Sequence, residues 1–125
     1  MGKTSRNKGA SWERMCCTVL SSATGIEHGR NLSESRRGND GDIERNRLPF
    51  VYQCKVGALP PIWQALEQAR EACEGGEIPV ALIKRNSVGS GLPARELAVV
   101  PLDVFCAMVG RMVEAGLIGQ REAAE

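Results

Sequence analysis

Hydrophobic and polar positions alternate along the chain in blocks whose spacing changes from one block to the next. In the first block, Trp12, Met15, Cys16, Val19 and Leu20 follow the i, i+3, i+4, i+7, i+8 rhythm of an amphipathic helix, which this pattern predicts over residues 8–22. Residues 1–7 are polar and aperiodic and read as a flexible basic arm. A short strand is expected within 24–31, after a turn at Gly25. The following NLSESRRGNDGD has no strong hydrophobe after Leu32, which makes it a loop.

Residues 43–56 read as a hairpin: a short strand at Asp42-Ile43-Glu44, a turn at Arg45-Asn46-Arg47, and a stronger strand over Phe50–Val56, rich in aromatic and β-branched residues. Gly57 and Pro60-Pro61 end that strand, and Pro61 is suited to open a helix to residue 74, with Ile62, Ala65, Leu66, Ala69 and Cys73 on one face. The unbroken apolar run Ile78–Ile83 predicts a strand covered on both faces. A strand at 96–100 and a helix over 102–115, with Val104, Phe105, Met108, Val109, Met112 and Val113 apolar, complete the order. The fold class expected is a single α/β domain over residues 8–116, a mixed sheet flanked by helices, with 117–125 as a polar tail.

Composition fits that size. A chain of 125 residues with 42% hydrophobic and 25% charged residues suits one globular domain, and aromatics at 4% leave an aliphatic core and little capacity to stack bases. No apolar run approaches the roughly 20 residues that span a bilayer, and the N-terminus lacks the apolar core of a signal peptide, so no membrane association is expected. Five cysteines without paired spacing point to a reduced, cytoplasmic protein. The net charge of +1 hides an asymmetry: residues 1–47 carry nine Lys/Arg against six Asp/Glu, and 48–125 carry seven against nine. A basic N-terminal part is compatible with a polyanionic partner, as it is with a solvated tail.

Candidate chemistry gathers on the hairpin. Gln53 and Lys55 lie two apart on one strand and leave the same face, and the pairing would bring Asp42 toward them. A carboxylate, an amide oxygen and nearby carbonyls suit a hard cation such as Mg2+, and a lysine beside them can offset charge developing on a phosphoryl group. The same residues also read as a turn cap (Asp42) and a solvated strand end (Lys55). Glu13, beside the apolar face of the first helix, reads equally as a surface ion-pair partner. A zinc site lacks support, since there is no CxxC and His28 is the only histidine. No thiol has an identifiable histidine base, and Gly38-Asn39-Asp40-Gly41 lacks the Gly-Lys-Ser/Thr ending of a phosphate-binding P-loop.

Taken in order, KGASWER in the first helix, GDI, QCKV on a strand, LEQAREA in a helix and then GGEIPVALIKR resemble the PD-(D/E)XK nuclease superfamily. Within it they are most similar to Holliday junction resolvases of the archaeal and phage type. The resemblance covers residues 8–105 and implies a restriction-endonuclease-like fold. It matches Glu13 to the helix glutamate, Asp42 to the strand aspartate, Gln53-Cys54-Lys55 to the E-x-K strand and Gln68 to the glutamine of the following helix. Asp40 is a second candidate for the aspartate, and Asp42 is preferred because Ile43 follows it at a strand start.

The resemblance implies phosphodiester hydrolysis with Mg2+, or Mn2+ as a substitute, held by Asp42, Gln53, the Cys54 main-chain carbonyl and Glu13. Lys55 would position the attacking water, and Gln68 would orient Lys55 or the phosphate. The loop with Ser33, Ser35, Arg36 and Arg37 resembles a serine-bearing resolvase loop, and with Arg6, Lys8 and Arg14 it supplies contacts to DNA phosphates. A homodimer follows from two symmetric cuts in a four-way junction, with the last helix as a possible interface. One departure stands out: Gln53 replaces the usual glutamate and removes a negative charge from the metal. Three readings follow: a junction resolvase, a related Mrr-like endonuclease acting on other DNA, or a DNA-binding or assembly subunit that has lost catalysis.

Overall fold

The computed structural model describes residues 2–32, 41–86, 95–119 and 121, with side chains from Asn7 onward. The order is α1 (Gly2–Thr24), β1 (Phe50–Gly57), α2 (Ile62–Ala72), β2 (Ile78–Arg85), β3 (Arg95–Val99) and α3 (Leu102–Glu114). The strands form one sheet in the order β1-β2-β3, with β1 and β2 parallel and β2 and β3 antiparallel. This is a small α/β domain with a mixed sheet, as the alternation of periods implies. Among the described residues no helix is long and apolar enough to cross a membrane.

β2 is the central strand, and its run Val80-Ala81-Leu82-Ile83 is buried on both sides. Toward α1, Leu82 and Val80 join Trp12, Cys16, Cys17, Ile43, Tyr52 and Cys54 in one cluster. Toward α2, Ala81 and Ile83 pack with Ala65, Leu66 and Val99. The buried face of α2 is Ala65, Ala69 and Ala72, small enough to bring the helix close to the sheet. Pro79 is tolerated in β2 because the ladder with β3 starts only at Ala81, so its missing N–H costs no strand bond there. Trp12 ties α1 to the centre of the sheet: its indole N–H donates to the Leu82 carbonyl at 2.9 Å, across 70 residues of sequence.

Three expectations are corrected. The helix begins at Gly2, so residues 2–7 extend it instead of forming a separate flexible arm; no proline or other strong breaker precedes Lys8. The hairpin over 43–56 is absent as a regular ladder. Ile43 bridges Arg30 instead, flanked by the bonds Asn31 N–H to Asp42 O (3.0 Å) and Glu44 N–H to Gly29 O (2.8 Å). The strand expected within 24–31 is likewise reduced to this bridge. The physical reason lies in residues 45–49: Asn46 bonds Leu48 N–H and the Glu27 carbonyl, and the chain reaches β1 through Pro49 rather than a tight turn. None of the residues of α3 is buried.

Arg45 fastens this connection to the end of α2. Its Nε and Nη2 donate to Glu77 at 2.8 and 3.2 Å, and Nη2 also reaches the Ala72 carbonyl at 2.6 Å. The guanidinium holds the Glu77 carboxyl below its ordinary value, with burial acting weakly in the other direction. A carboxyl depressed in the folded state stabilises it above the ordinary pKa, and that contribution fades as pH falls through the folded value. Glu77→Gln should therefore lower the thermal midpoint at neutral pH, by an amount that shrinks as pH drops below about 4.3; a pH-independent difference would contradict this. Trp12→Phe, which strands the Leu82 carbonyl, should reduce unfolding free energy by about 1–3 kcal/mol in a urea titration, and an unchanged midpoint would show that the bond contributes nothing.

Candidate metal and nucleic-acid site

The site is built on the free edge of β1. Tyr52 O accepts the Asp42 main-chain N–H at 2.8 Å, so the short segment around Asp42 lies against that edge. The Asp42 carboxylate then turns onto the strand, and its Oδ2 accepts the Cys54 main-chain N–H at 2.7 Å. Asp42 is 6% exposed, and a buried carboxylate needs such donors to offset lost hydration. Because N–H and C=O of one residue leave an extended strand on the same side, the Cys54 carbonyl also faces this edge.

Asn31 reinforces the placement: its N–H donates to Asp42 O at 3.0 Å and its side-chain amide to Gly41 O at 3.0 Å. Gly41 lets the chain approach. A Cβ there would stand 2.9 Å from Tyr52 O and 3.1 Å from Val51 Cγ1, and the first of these is main chain that cannot withdraw without disturbing β1. Neither Asn31 nor Gly41 was singled out in the sequence as functional. The glycine-rich bend before Asp42 carried the signal for Gly41, whereas the role of Asn31 depends on pairing that local periodicity does not report.

On the α2 face of β1, Gln53 is buried and its amide spans Asp42 and Gln68. One terminal amide atom lies 2.7 Å from Asp42 Oδ2 and 3.2 Å from Oδ1, and the other stands 3.5 Å from Gln68 Oε1. With nitrogen toward the carboxylate, the amide donates to both oxygens without any ion. With oxygen there, the two groups repel unless a cation lies between them. Adjacent oxygens on an octahedral Mg2+ with bonds of about 2.0–2.1 Å stand about 3 Å apart, a spacing that the two observed distances bracket. The donor set of one carboxylate, one amide oxygen and one main-chain carbonyl therefore fits Mg2+ or Mn2+. Among the described residues no three His, Cys, Asp or Glu side chains gather to share an ion, so the neutral oxygens would complete the set.

Lys55 follows Gln53 on the same face, half-buried, and makes no hydrogen bond or ion pair with another described residue. Glu13 stands on the other face, toward α1. Its Oε1 accepts Arg30 Nε at 3.0 Å, an ion pair that the sequence did not reveal. A bond to Cys16 and burial raise the Cys54 thiol, with Glu13 adding to the effect. The structure thus joins Asp42, Gln53, Gln68 and the Cys54 main chain, and holds Glu13 with Arg30 behind them. Lys8 and Arg14 are exposed on α1. The side chain of Arg6, together with Ser33, Ser35, Arg36, Arg37 and Asp40, lies outside the described residues.

The cysteines offer no competing chemistry: all five are free, and Cys16, Cys17 and Cys54 are buried. Burial above all raises the Cys17 thiol. His28 is buried too, in the segment after α1, with Nδ1 2.8 Å from the Ile26 carbonyl. Comparison with family models, curated protein sequences and solved structures finds no match for this chain.

Gly41→Ala tests the close approach. It should cost about 1–3 kcal/mol in urea-induced unfolding, the range for overpacking, and a stability equal to the parent chain would mean that the Gly41 segment is not pressed against β1.

Proposed function

We propose that this protein is a metal-dependent DNA endonuclease that hydrolyses phosphodiester bonds, with four-way junctions as its substrate. The observation that carries this reading is the meeting of Asp42, Gln53 and the Cys54 main chain at one strand edge, with Lys55, two residues after Gln53, paired with no other described residue. The restriction-endonuclease-like assignment draws support from the succession of a helix, the Arg30–Ile43 bridge, β1, a helix and the parallel β2.

Asp42, Gln53 and the Cys54 carbonyl would hold Mg2+ or Mn2+, which would supply Lewis-acid chemistry to the phosphodiester and its attacking water. The chain's own residues do the rest. Asp42 is oriented by the Cys54 N–H, so its carboxylate keeps one direction. The Lys55 ammonium donates to a phosphoryl oxygen or to the incoming water, and its charge offsets the negative charge that grows in the transition state. Gln68 stands 3.5 Å from the Gln53 amide on the α2 side. Glu13, held by Arg30, stays on the α1 face, behind the strand that carries the metal donors. Lys8 and Arg14 neutralise flanking phosphates, which positions the DNA without reading its sequence.

Two-fold assembly belongs to this reading, because two symmetric cuts need two sites. The surface that suits it is α3, where Phe105 is 55% and Met108 44% exposed.

The test is cleavage of a labelled four-way junction and a matched linear duplex with Mg2+ or Mn2+. Symmetric nicking of the junction with little duplex cutting is expected, and Lys55→Ala and Asp42→Asn should each reduce the rate at least about 100-fold while leaving binding largely intact. Duplex cutting alone would move the substrate to other DNA. Junction binding without cleavage would favour the inactive subunit, in which the Gln53 amide nitrogen permanently caps Asp42.

A further inference from the structure

We infer that Arg85 and Arg95 carry the site across the sheet: with Lys55 they form a row of cations on the α2 face that takes the phosphates of the DNA strand flanking the cut. This rests on the endonuclease reading and states where its substrate runs. Neither arginine stood out in the sequence, where each is only the polar end of a strand pattern.

Register and alternation place the three on one face. Lys55 looks toward α2 and pairs with Ile83, which packs with Ala65 of α2. Arg85 follows Ile83 by two residues and so leaves the same face of β2. Arg95 stands directly opposite Arg85 in the ladder between β2 and β3, and Leu97 stands opposite Ile83. The residues between them turn the other way: the Lys84 ammonium lies 5.7 Å from the centroid of the Trp12 ring on α1 and 3.8 Å from the Glu96 carboxylate. Strands about 4.8 Å apart that rise about 3.3 Å per residue put the main chains of Lys55 and Arg95 about 12 Å apart. That span covers about three to four nucleotides at about 3.4 Å per step of one DNA strand.

Charge identifies the partner. Like charges directly opposite on a ladder destabilise it, and an anion that bridges Arg85 and Arg95 removes that cost. No acid lies close in sequence to do so: residues 45–66, from the approach to β1 into the first turn of α2, contain no Asp or Glu, and neither do residues 78–95. Arg95 is exposed, and both arginines border a groove of about 400 Å3 with Leu59, Ile62, Ile83 and Leu97 along it. Such an apolar floor suits the aliphatic stems of arginines, while the guanidinium forks match phosphate oxygens. The groove itself is not the phosphate site; the charged rim is.

The experiment measures affinity for a fluorescein-labelled four-way junction by anisotropy in EDTA, from about 50 to 200 mM KCl. Arg85→Gln and Arg95→Gln should each reduce the slope of log K against log[salt] by about 0.9, and the double variant by about 1.8. Arg85→Lys, which keeps the charge, should keep the parent slope, as should Arg70→Gln, which removes a charge from the far end of α2. Thermal melts establish that each variant is folded. Unchanged slopes in the Arg85→Gln and Arg95→Gln variants overturn the inference, and if the parent protein still cuts the junction the endonuclease reading survives that result. An equal loss of slope in Arg70→Gln would show a general effect of net charge and overturn it as well. Reduced slopes confined to the two arginines, without any cleavage by the parent protein, uphold the row as a DNA contact and overturn the endonuclease reading.

Discussion

Everything at the candidate site depends on keeping one buried carboxylate solvated by the main chain. Asp42 gives up water and receives in exchange the Cys54 N–H at 2.7 Å, from an edge of β1 that no other strand of the described residues occupies. An open sheet edge is ordinarily a liability, a row of unpaired donors and acceptors. Here the segment 41–44 caps part of it, and the donor left over is what fixes the acid. The same bond sets the direction of the Cys54 carbonyl and brings Gln53, the residue before it, alongside Asp42. Strand geometry and site geometry are one constraint.

Because the strand carries the site, the packing beneath it bears on function. Cys54 and Tyr52 fill the α1 face while Gln53 and Lys55 look toward α2. Tyr52 is buried, which pushes its phenol up to about 12, so it stays neutral and packs beside Phe50 and His28. The alanines of α2 allow Gln68 to come within reach of Gln53. The neutral Gln53 has a matching electrostatic consequence: its amide can satisfy the Asp42 carboxylate as hydrogen-bond donor or join it as oxygen donor.

Periodicity made the helices and the three ladder strands legible, because each buries a stripe or a face that repeats at its own period. Gln53 and Lys55 on one strand face and Asp42 near them were legible for the same reason. The route by which Asp42 arrives was not. A hairpin is a local inference, whereas the chain between Thr24 and Pro49 is organised by bonds from Asn31, Asn46 and Arg45 to partners that lie far along the sequence. The Glu13–Arg30 pair and the Lys84–Trp12 contact belong to the same class: they depend on which elements become neighbours in three dimensions. The apolar face of the last helix was compatible with sheet cover or with an exposed surface, and its residues remain accessible.

The most direct test of the central claim is a Mg2+ titration of the 15N-labelled protein followed by NMR. The account predicts saturable shifts of the Gln53 side-chain amide and the Cys54 backbone amide, extending to Lys55 and vanishing in Asp42→Asn. Resonances of Gln53 and Cys54 that stay fixed through millimolar Mg2+, or that shift equally without the Asp42 carboxylate, would contradict it.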